Sequence, residues 1–152
     1  MKNLENRIPP PLVLVIILVL MKIIAMVDSN KWQSLNLNLL AALLAILGVA
    51  CAVAGVAGFR KAKTTVNPLD PSRASSLVTG GIYNFSRNPM YLGMLMVTIG
   101  FGIHLASLLS FIMVILFAMF ISRFQIVPEE RAMKKIFGAE FTEFCLETRR
   151  WL

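Results

Sequence analysis

Two cysteines and one histidine among 152 residues leave little material for disulfide or metal chemistry. Cys51 lies inside an apolar run and Cys145 in the C-terminal segment, and both read as small buried hydrophobes. No Cys/His cluster has metal-ligand spacing, so no metal is expected. Acidic residues are also scarce: eight Asp and Glu stand against fifteen Lys and Arg, a formal charge of +7. No basic stripe is interleaved with stacking aromatics, which argues against nucleic acid. Also missing are a Walker loop, a GxGxxG after a strand, a GxSxG elbow, and any Ser or Cys with a histidine nearby. Internal repeats and low-complexity tracts are absent too.

What the chain does have is apolar length. It is 57% hydrophobic, with mean hydropathy +0.74, well beyond a soluble domain of this size. The expectation is an all-α integral membrane protein in one domain, with about four transmembrane helices and a C-terminal amphipathic interfacial helix. The spans are placed at about 11–27, 35–59, 89–103 and 105–127, the loop at 60–88 and the last helix at 129–148. A signal peptide is the rival reading of the first run, but no small-residue cleavage site follows it. Lys22 inside that run reads equally as a snorkelling or a buried functional lysine. Gly48, Gly55 and their alanine neighbours mark the second span as a close-packing surface. The third run, about 15 residues, rises only ~22 Å, so it reads as the short arm of a hairpin. His104 falls at the far tip of that hairpin and reads as a turn residue. Pro128 is expected to break the fourth helix and Gly138 to kink or break the last, whose simplest position is along the membrane surface.

Four spans put both ends and the long loop on one side. Every Lys and Arg except Lys22 and Lys31 then falls on that side, so the termini are expected to be cytoplasmic, in a prokaryotic inner membrane.

Polar chemistry concentrates at two places on that side. One is the stretch 79–93, TGGIYNFSRNPMYLG, which reads as a turn and then a helix start. Asn88 suits an N-cap and Pro89 the first helical position. The other place is around Glu129 and Glu130, with Arg123, Gln125 and Arg131 close by. Singly, each arginine reads equally as a flank of a span, each glutamate as a helix cap and each tyrosine as a belt aromatic. Together they match a small zwitterion, its cationic group by Glu129 and its carboxylate by the positive helix end at Asn88 to Met90.

LVTGGIYNFSRNPMYLG, then EERAMKKIFGAEF and a terminal Arg-Arg-Trp-Leu, resembles the isoprenylcysteine carboxyl methyltransferase and phospholipid methyltransferase superfamily. The resemblance covers roughly 64–152. It implies a multi-pass membrane methyltransferase using S-adenosylmethionine and acting on an amphiphilic, lipid-soluble or small acceptor. It implies cofactor contacts at Ser76, Leu77, Val78, Tyr83, Asn88, Pro89, Met90, Tyr91 and Glu129. Arg87 and Glu130 are the catalytic candidates, and Arg123 and Gln125 the substrate-binding ones. Asn88 stands where many prenylcysteine enzymes have histidine, and Gln125 where the family has a substrate-binding arginine. Methyl transfer from a sulfonium needs mainly alignment and shelter from water, so no dedicated acid–base pair is required. The alternatives are an NADPH-dependent membrane reductase of the steroid-reductase type and a non-catalytic membrane module.

Overall fold

A computed structural model describes residues 5–29, 32, 34–64 and 74–152. Pro68 and Pro71 of the long loop, and Lys2, Lys31 and Arg73 of the charge asymmetry, lie outside the described residues. Among the described residues every regular element is helical. The order is α1 (Pro10–Val27), α2 (Leu35–Lys61), a 3-10 turn (Gly81–Asn84), α3 (Pro89–Leu105), α4 (Ser110–Ile121), a π segment (Ser122–Ile126) and α5 (Val127–Glu147). Three helical stretches are long and apolar enough to cross a membrane: α1, α2 and the continuous Ser110–Glu147; α3 is a shorter apolar helix.

α1 starts on Pro10, where the missing N–H costs no helical bond. Val13, Ile17, Met21 and Ala25, four residues apart, form its buried stripe against Leu105, Val114, Phe117 and Ile121. Its other faces are exposed apolar surface, and Lys22 is exposed among them.

α2 and α3 run antiparallel and meet almost backbone to backbone. A Cβ on Gly93 would lie 2.3 Å from the Gly48 oxygen, and one on Gly100 would lie 2.7 Å from the Ala41 oxygen. Only glycine permits this approach, and the close van der Waals contact it allows is what holds helices together where lipid is as apolar as leucine. α2 ends with Lys63 at φ 52°, while the Thr64 amide bonds the Phe59 carbonyl at 3.2 Å, closing its last turn.

The turn between α3 and α4 comes later than the expected break before residue 105. α3 continues to Leu105, left-handed Ala106 ends it, and α4 begins at Ser110. Here Ser107 Oγ donates to Asp28 Oδ2 at 2.5 Å and Ser110 Oγ to the Met21 carbonyl at 3.2 Å. His104 Nδ1 lies 3.3 Å from Asn38 Oδ1 at this same end.

Pro128 does not break the helix. Proline cannot donate to the Phe124 carbonyl four residues back. The chain absorbs this by widening into the π segment, where the Val127 amide reaches the Ser122 carbonyl. The Phe124 carbonyl instead accepts from the Asn6 amide at 3.0 Å. Ten residues on, Gly138 (φ 52°, ψ −113°) divides α5 into two arms. The apolar face of α5 is covered by protein: Met133, Phe137, Phe141 and Phe144 pack with Phe59, Leu77, Val78, Ile82 and Tyr83.

Candidate functional site

One end of the bundle gathers residues 5–9, the close of α2, the loop residues 74–88, the start of α3, the start of α5 and the C-terminal tail. The two polar clusters anticipated from the sequence meet there. Tyr91, buried in the first turn of α3, donates its hydroxyl to Glu129 Oε1 in the first turn of α5. Among the described residues Glu129 has no cationic partner. A half-buried carboxylate held by one neutral donor retains most of its capacity to accept.

Tyr83 stands beside this pair. Its hydroxyl donates to the Gly55 carbonyl at 3.2 Å, its ring meets Phe59 edge-on at 5.5 Å, and Gly58 leaves the room it needs. Burial, with the Glu129 charge nearby, pushes its phenol far above the ordinary range, so it stays a neutral hydroxyl.

Asn88 occupies the N-cap position of α3, but its side chain caps nothing. Its amide Nδ2 donates instead to the Arg150 carbonyl at 2.9 Å. Pro89 has no N–H to offer, and the N–H groups that follow in the first turn have no side-chain cap. The helix start therefore carries uncapped donors and the positive end of its dipole. Met90 packs against Gly55, and the Pro89 carbonyl accepts from Cys51 Sγ at 3.2 Å.

Arg87 and Glu130, expected to be catalytic, are engaged elsewhere. Glu130 accepts from Arg87 Nη2 at 3.0 Å, from Arg150 Nε at 3.0 Å and from Arg150 Nη2 at 2.6 Å. Arg87 Nη1 also caps the last helix through the carbonyls of Cys145 (3.0 Å) and Thr148 (2.8 Å). The Arg87 amide bonds the Arg149 carbonyl, and Trp151 packs on the main core. These residues lace the C-terminal tail across the start of α3. The terminal Arg-Arg-Trp-Leu is plain in the sequence, but the closeness of Arg150 to Asn88 and Glu130 is not visible in sequence spacing.

The remaining candidates divide. Ser76 uses its hydroxyl on the Ala62 carbonyl at 3.2 Å, helping to close α2. Leu77 and Val78 are partly buried under Tyr83. Gln125 is fully buried and donates Nε2 to the Ile8 carbonyl at 2.8 Å, which removes it from an acceptor's reach. Arg123 stays half exposed, bonding Glu5 at 3.1 Å, and Arg131 bonds the same Glu5. The clasp of Glu5, Asn6 and Ile8 on the π segment had no sequence signal, because hydrogen bonds to backbone atoms leave no residue pattern.

The family model for phospholipid methyltransferases matches residues 37–140. An uncharacterized protein of Haemophilus influenzae is 35% identical over 63 residues, which is 41% of this chain and 100% of that protein. No solved structure matches.

Proposed function

This chain belongs to the phospholipid methyltransferase family, and from that premise we propose that it is a membrane methyltransferase that takes its methyl group from S-adenosylmethionine. The acceptor is a lipophilic or small molecule reached from the bilayer. One observation carries the reading: among the described residues Glu129 is held by Tyr91 and paired with no cation, beside a helix start whose first amides have no side-chain cap.

The residues present fit such a cofactor. Glu129 offers carboxylate oxygens to a cationic sulfonium or ammonium. The start of α3, at Met90 and Tyr91, offers donors to a carboxylate. Tyr83 and Tyr91 are buried beside Glu129, and Leu77 and Val78 pack against Tyr83 as apolar cover. When bound, S-adenosylmethionine supplies an electrophilic methyl group. The protein's own work is to bind, orient and exclude water. Tyr91 fixes the Glu129 carboxylate. Arg87, Glu130 and Arg150 hold the tail over the start of α3, so the site keeps its shape.

Arg60, Lys61, Lys63, Arg87, Arg123, Arg131, Arg149 and Arg150 belong to the segments gathered at the site's end of the bundle. The positive-inside rule then supports a cytoplasmic site in a prokaryotic inner membrane.

The test is calorimetric titration of the purified chain with S-adenosylmethionine and S-adenosylhomocysteine. Saturable binding that weakens in Glu129→Gln is expected. Absence of saturable binding, or displacement by NADPH, would overturn the proposal.

A further inference from the structure

A groove of about 460 Å³ opens between α1 and α4, on surface that the tyrosine–glutamate pair does not use. That volume is in the range of ligand sites. Val13, Ile16 and Ile17 form one wall and Leu116, Met119 and Phe120 the other. Among the described residues the single charged lining residue is Arg123, at one end. From Leu116 to Arg123 the trough follows α4 and the π segment for roughly 10 Å at 1.5 Å per residue. α1 lies outside the residues that match the family model.

The charge at the end is real. Arg123 and Arg131 share one carboxylate, Glu5, which leaves one positive charge in excess. Arg123 bonds Glu5 through Nη1 alone and is half exposed. Apolar walls with a cation at one end are complementary to a hydrocarbon chain with an anion at one end. The apolar run of α4 stops just before Arg123, which puts the guanidinium where headgroups begin.

We propose that this groove binds one hydrocarbon chain of an anionic phospholipid, with its phosphate on Arg123. The site is independent of methyl transfer and stands whether or not the cofactor reading does.

Native mass spectrometry of the full chain, delipidated in detergent and offered phosphatidylglycerol or phosphatidylcholine with the same acyl chains, tests it. One phosphatidylglycerol per chain is expected to be retained, preferred by roughly fivefold. Arg123→Gln should erase the preference. Glu5→Gln should keep or raise it, because the competing carboxylate is gone. Ile16→Trp fills the trough from a lipid-exposed position and should abolish retention of both lipids, while cofactor titration stays as in the parent chain. Equal retention of the two lipids by the parent chain would overturn the proposal. So would retention unchanged in Ile16→Trp, loss of preference in Glu5→Gln, or a lipid-free dimer filling the groove.

Discussion

Two consecutive carboxylates begin α5, and they face different worlds. A helix turns about 100° per residue, so neighbours in sequence diverge in space. Glu130 turns towards the C-terminal tail and is saturated by Arg87 and Arg150. Glu129 turns towards α3 and, among the described residues, carries only the Tyr91 hydroxyl. One carboxylate is committed to architecture and the other is left with capacity for a ligand. A pair that looks redundant in the sequence is divided between structure and binding.

The sharpest way to break this contrast is Glu129→Gln. S-adenosylmethionine affinity should fall by about ten- to a hundredfold, the worth of a hydrogen bond to a charged group. Thermal stability in detergent should not fall, because no cation loses its partner. A drop in melting temperature with unchanged affinity would reverse the two roles. Next is Glu130→Ala, which leaves Arg87, 13% exposed, without its carboxylate. Breaking a buried pair costs roughly 3–5 kcal/mol; partial exposure brings the expected loss nearer 2 kcal/mol, read by thermal denaturation. Tyr91→Phe should weaken cofactor binding by less than tenfold, since one neutral hydrogen bond is worth about 1 kcal/mol. Smallest is Arg150→Ala. Its side chain is 40% exposed and screened by solvent, so a loss below about 1 kcal/mol is expected. A larger loss there than in Glu130→Ala would mean that the tail, and not the carboxylate, organises this side.

Much of this was legible in the sequence because it rests on side-chain pattern. The apolar runs gave an all-helical membrane protein, and the glycines of 48 and 55 pointed to the close seam that α2 forms with α3. Tyr91 and Glu129 stand in the stretches flanking one hairpin, and the structure joins them. What stayed hidden depends on the backbone. Pro128 reads as a helix breaker by its chemistry, yet one π turn and one amide from Asn6 absorb it. Asn88 reads as a cap by propensity, yet a tail carbonyl 62 residues away competes for its side chain. Gln125 stands where an arginine was looked for, and burial, which no local pattern encodes, assigns it to the Ile8 carbonyl.

The acceptor that Pro128 cannot satisfy makes the first and last thirds of the chain mutually dependent. A graft that carried the Ser110–Glu147 rod into a foreign scaffold would import a carbonyl awaiting a donor. Chimeras among relatives will therefore need to exchange the residues around Asn6 together with that rod, as one inherited unit.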